Sequence, residues 1–241
     1  MMTHIDYNNF ILEKNRNFNE QNSILIETSS DDFRLGTHLV RKSKENLYVI
    51  YYYMENNIST IYFQGFDIYI VYIELESIVM NILSKYDLIG KDYNIIDRPS
   101  FNLNEKTLKY NLEKIKEENI DKIADEFITF YKQDALPFFE KWKDLNVLYE
   151  YIKDKTEREE LSEILGQFWQ FKKAAILRLC NDSSYEDFMT KFVNRREEIL
   201  KMRPESIDVQ RYYNASKELK QVLDNTKPIY NGVRKIGVQN G

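Results

Sequence analysis

The feature that most constrains this chain is a change of hydrophobic period near residue 74. Before it, short runs rich in Tyr, Ile and Val are separated by brief polar breaks. After it, apolar residues recur every three or four positions. The first pattern suits a pleated, half-buried surface, and the second suits one face of a helix. Residues 23–28 open the series as a strand, and Ser29-Ser30-Asp31-Asp32 is a turn signal. Residues 33–41 follow, with a hairpin loop at 42–46. Residues 47–54 are dense in aromatic and β-branched side chains, as strands prefer. After a turn at 55–57, residues 58–63 and 66–73 complete a meander, with Gln64-Gly65 between them. Connections this short predict antiparallel pairing. Leu75, Ile78, Val79, Ile82 and Leu83 then share a helical stripe, so the last strand runs almost directly into a helix.

The expected class is therefore α+β: an N-terminal antiparallel sheet of about four strands, followed by a mostly helical C-terminal two-thirds. Residues 1–22 form a polar leading segment, where Tyr7, Phe10 and Ile11 stand at the spacing of a short helix. Residues 23–90 hold the sheet and its helix. Residues 104–224 are a helical region expected to pack with the sheet as one domain, and 225–241 a loosely ordered tail. Asn104 and Asn119 are placed as helix N-caps, the first ahead of Leu108, Leu112 and Ile115. Pro137 suits a first helical turn. Thr156-Glu157-Arg158-Glu159 reads as a capping box opening a helix that continues to Cys180. Further helices are expected from Ser184 to Arg203-Pro204 and over 207–223.

Composition narrows the function classes. Of 241 residues, 43% are hydrophobic and 30% charged, the balance of a globular chain rather than a disordered one. With Gly 7 and no Rossmann or Walker pattern, no glycine-built phosphate cradle is expected. The net charge of −5, without a dense basic cluster, argues against nucleic acid and suits a basic protein partner. The most apolar stretch, 66–75, carries Asp67 and Glu74 and falls well short of a membrane span. The N-terminus lacks a basic-then-apolar signal, and the single cysteine, Cys180, fits a reducing compartment, so the expected location is cytoplasmic. Abundant Asn, Ile, Lys and Tyr suggest an AT-rich, bacterial genome.

Chemistry-bearing residues are sparse. His4 and His38 are the only histidines, and no His or Cys set has metal-ligand spacing. No cofactor, metal or catalytic residue is assigned. Asp31, Asp32, Asp67, Glu74 and Glu76 stand at turns and at the strand-to-helix junction, which leaves a carboxylate-based, metal-assisted hydrolase as the alternative class. Tyrosine is the distinctive residue: there are 18, and Tyr48, Tyr51, Tyr52, Tyr53, Tyr62, Tyr69 and Tyr72 fall within one small sheet. Alternation sets Tyr48, Ile50, Tyr52 and Met54 on one face and Val49, Tyr51 and Tyr53 on the other. Tyrosines left exposed favour recognition. The expected binding face carries Tyr48, Tyr52, Tyr62 and Tyr72, provided the turns keep ordinary register.

Three segments carry a resemblance: Ile73-Glu74-Leu75-Glu76-Ser77-Ile78, then Leu136-Pro137-Phe138-Phe139-Glu140-Lys141-Trp142, then Lys173-Ala174-Ala175-Ile176-Leu177-Arg178-Leu179-Cys180. In that order, over 33–200, the chain resembles small bacterial α+β proteins grouped as domains of unknown function, some of them candidate toxin-immunity proteins. The scarcity of His, Cys and Gly, the acidic balance and the Tyr-rich sheet point to a non-enzymatic protein-interaction module; the resemblance adds an immunity-like form of that role and brings no catalytic residue.

Overall fold

The computed structural model describes residues 3–30, 34–57, 60–63, 65–90, 94–97, 100–101, 113–115 and 118–230. The chain is α+β, with its antiparallel sheet N-terminal and its C-terminal part mostly helical. It divides into two compact units, Met1–Ile73 with Ile96–Val147, and Glu74–Ile95 with Leu148–Gly241. The first division falls where the last strand of the meander passes into helix.

The leading segment is helical, as α1 (His4–Lys14) and α2 (Arg16–Gln21). Thr3 starts α1 with a capping box: its hydroxyl accepts from the Asp6 N–H, and the Asp6 carboxylate accepts from the Thr3 N–H at 2.7 Å. The sheet holds β1 (Ile24–Ser30), β2 (Arg34–Lys42), β3 (Asn46–Asn57), β4 (Thr60–Phe63), β5 (Asp67–Tyr72) and β6 (Glu113–Ile115). Their order is β1-β2-β3-β4-β6, with β5 also on β3. β3 is long enough to pair along one edge with β5 and then β4, and along the other with β2. The expected helix over 104–115 meets β6 at its C-terminal end, where Glu113–Ile115 pair with Ile61–Phe63. Pairing there uses the edge of β4, which outweighs local helical spacing. Asn104, Leu108 and Leu112 lie outside the described residues.

One face of the sheet is covered by α1, α4 (Ile120–Phe130) and α5 (Leu136–Trp142). Phe66 stacks on Phe130 with ring centroids 5.1 Å apart, and Tyr48 meets Phe139 at 5.2 Å. Between α4 and α5 the helix widens into a π turn at Tyr131–Ala135, directly ahead of Pro137. A proline cannot donate to the preceding turn, and the widened turn accommodates it. Asn119 stands at the N-cap of α4 but makes no side-chain cap bond.

The second unit is built from α3 (Ile73–Lys85), the end of α6 (Leu145–Ile152), α7 (Arg158–Leu165), α8 (Trp169–Leu179), α9 (Tyr185–Met202) and α10 (Ile207–Asn225). α8 lies at its centre: Phe171, Ala174, Ala175, Ile176, Leu177 and Leu179 are all buried, and Cys180 beyond it is buried too. The single helix expected from Thr156 to Cys180 is instead two. Gly166 adopts φ 78 and closes α7, and Thr156 makes no capping box, since the N-cap is Glu157. A left-handed residue ends a helix even when the apolar stripe continues past it. Arg178 binds carbonyls at the C-terminal end of α10, donating from Nε to Leu223 O (2.9 Å), which also accepts from the Thr226 N–H, and to Thr226 O (3.0 Å).

Candidate functional site

Register decides which tyrosines are core. β3 pairs with β2 so that Thr37 lies opposite Tyr52 and Gly36 opposite Tyr53. The face carrying Tyr48, Ile50, Tyr52 and Met54 is the one the helices cover, and all four are buried. Tyr72, on the same face of β5, is also buried and donates its hydroxyl to Trp142 O at 2.5 Å. Tyr52 donates to Asn8 Oδ1 at 2.8 Å, and Thr37 donates to the same oxygen at 2.9 Å. One α1 amide thus serves two buried hydroxyls and fixes the helix on the sheet. Burial holds the Tyr52 phenol protonated far above its ordinary range, so it remains a donor.

The expected binding face is therefore corrected. Tyr48, Tyr52 and Tyr72 share a face as anticipated, but that face is core, because it is the one that meets Phe66, Phe139 and α1. Tyr62 does not join them. Phe63 pairs with Met54 and Asp67 with Tyr51, so three residues of the returning chain stand against two of β3. The extra residue acts as a bulge and reverses the alternation between β4 and β5. Gly65, at φ 81, supplies the left-handed backbone this needs. Phe63 and Ile61 consequently turn into the core, and half-exposed Tyr62 faces the other way, beside Glu55.

The second face is half core and half surface. At one end Val40, Val49, Tyr69 and Val71 are buried, and the Tyr69 hydroxyl donates to Ile96 O at 2.7 Å. At the other end His38, Tyr51 and Tyr53 are half-exposed. The His38 and Tyr51 rings lie 4.6 Å apart, and Tyr51 and Tyr53 stack at 6.1 Å. Gly36 makes room for this row: a Cβ there would stand 3.0 Å from the Tyr51 hydroxyl and 3.1 Å from its ring. Glu27 sits across from His38, and Glu55 across from Tyr62, so carboxylates border the aromatic row. Strand alternation already separated Tyr51 and Tyr53 from Tyr52. What the sequence left open was which face the helices take.

Of the described carboxylates, Asp67 belongs to the first unit and Glu74 and Glu76 to the second. Asp67 borders the Tyr51 end of the row in the first unit, and Asp31 and Asp32 lie outside the described residues. Glu76 is fully buried in the second unit, with its Oε1 2.9 Å from the buried Lys172 Nζ. The oxygens lack a well-aligned hydrogen bond, so the attraction is chiefly Coulombic. Among the described residues no group of three His, Cys, Asp or Glu side chains is placed to hold a metal ion. The second unit has a groove of about 490 Å³ between α3 and α10, with Ile78, Ile82 and Val222 in its walls and Glu74 and Asn81 among its polar groups. There Lys85 and Tyr86 both bond Glu218, each at 2.7 Å. That pairing, the Lys85 contact foremost, holds the Glu218 carboxyl below its usual range.

Among the described residues no helix is long and apolar enough to cross a membrane. Comparison with family models, curated proteins and solved structures finds no match to this chain.

Proposed function

We propose that the chain is a non-enzymatic protein-interaction module, engaging a protein partner through the second face of its sheet, with His38, Tyr51, Tyr53 and Tyr62 as the contact row. The carrying observation is the half-exposed row in which Tyr51 contacts the His38 ring on one side and stacks with Tyr53 on the other, over Gly36. Tyrosine offers large contact area at low entropic cost, and it is enriched at binding hot spots. The bordering Glu27 and Glu55 and the net charge of −5 support a partner with a basic surface. An immunity-like role, in which such a partner is a basic toxin, is the specific form we propose.

The test is capture of the partner from the native host, its purification, and binding to single-residue variants. Tyr53→Ala and Tyr62→Ala should each weaken binding about tenfold, the size of a partial hot spot. Their melting temperatures should stay near that of the parent, since neither side chain is core. Binding that survives simultaneous replacement of Tyr51, Tyr53 and Tyr62 by Ala overturns the proposal.

A further inference from the structure

We propose that the open edge of β1 is a strand-addition site for an extended partner segment that alternates apolar and basic side chains. The proposal rests on the protein-interaction reading above and names how, and by what chemistry, a partner would be held. β1 is the terminal strand of the sheet and pairs only with β2 among the described residues. Its seven residues pair one-to-one without a bulge. Residues 25–29 are exposed, Leu25 by 59% and Ile26 by 42%. An antiparallel edge strand directs half of its backbone N–H and C=O groups away from the sheet. Edges are commonly guarded by proline, charged side chains (lysine above all), a bulge or a covering element, and β1 carries one charge, Glu27. Ile24-Leu25-Ile26-Glu27-Thr28-Ser29-Ser30 has neither proline nor lysine.

The side chains specify the occupant. Ile24, Ile26 and Thr28 lie on the helix-covered face, and Leu25, Glu27 and Ser29 on the face of the aromatic row. A strand added alongside would set an apolar residue next to Ile26 and the following residue next to Glu27. A lysine or arginine there would complement the Glu27 carboxylate. A second copy of this chain fits less well. Full antiparallel overlap of two β1 strands centres on Glu27 and sets it opposite the other Glu27, and like charges directly opposite are destabilising. The same strand-addition mode is widespread in peptide recognition, where backbone bonds supply affinity and alternate side chains supply specificity.

The probe is an acetylated, amidated heptapeptide alternating Val and Lys, added to the full chain. The controls are a Val/Glu heptapeptide and the Val/Lys peptide N-methylated at alternate residues. Amide hydrogen exchange should slow roughly tenfold or more over residues 24–30 with the Val/Lys peptide only, as newly bonded edge amides require. Glu27→Lys should reverse the preference toward the Val/Glu peptide. Equal protection by both charged peptides, protection by the N-methylated one, or no protection at β1 overturns the inference. Concentration-dependent protection of β1 without any peptide also overturns it, in favour of a second copy. Loss of the β1 effect while partner capture still depends on Tyr53 and Tyr62 refutes the edge alone. Capture indifferent to those tyrosines refutes the aromatic face.

Discussion

Asn8 holds more of the first unit together than its size suggests. Its Oδ1 is the acceptor for both Tyr52 and Thr37, and all three residues are almost fully buried. Removing an acceptor strands its donors, which costs more than removing one donor. Tyr52→Phe should therefore cost about 1–2 kcal/mol, since Asn8 keeps its Thr37 bond. Asn8→Ala should cost about 2–4 kcal/mol, because two buried hydroxyls lose their shared acceptor. Urea unfolding checks this, with an unchanged denaturant slope showing that the effect lies in stability. Equal losses for the two variants would mean that Asn8 does not serve both hydroxyls. Little of this trio was legible in the sequence. Asn8 sits in a polar, Asn-rich segment, and nothing in its spacing tells a buried amide from a solvated one.

At the scale of elements, two features decide the architecture. The first is the extra residue between β4 and β5. Gly65→Ala forces a side chain into a left-handed backbone and should cost about 1–2 kcal/mol, read as a lower melting temperature. A neutral outcome would mean that this backbone is not what sets the register. The second is the Glu76–Lys172 pair joining α3 to α8. Glu76→Gln or Lys172→Met alone leaves a buried charge and should cost about 3–5 kcal/mol, whereas Glu76→Leu with Lys172→Met together should cost far less than the sum. Additive losses would show that the two are not coupled. The strands, the period change at residue 74 and the last two helices were legible because each rests on local periodicity. The break at Gly166 and strand β6 were not. A single glycine inside an apolar stripe reads as tolerable, and β6 exists only because β4 offers it an edge. Glu76 was read as a helix-start acid, since its partner lies far along the chain.

Across the whole molecule, the Tyr-rich stretch serves two purposes at once. One set of tyrosines builds core against α1 and α5; on the alternate face Tyr69 is buried at one end, while Tyr51 and Tyr53 line a half-exposed end edged by acids. The sequence separated the two sets by strand alternation and left undecided which of them the helices cover. It also concealed that Gly65 moves Tyr62 from one set to the other. This partition underlies the proposed interaction role, because a face that were core could bind nothing. It is tested most directly by nitrating the native chain with tetranitromethane and following each tyrosine by peptide mass spectrometry. Tyr51, Tyr53 and Tyr62 should react early, while Tyr48, Tyr52, Tyr69 and Tyr72 stay protected until the chain unfolds. Modification of Tyr52 or Tyr72 in the folded chain as fast as Tyr53 would contradict the account.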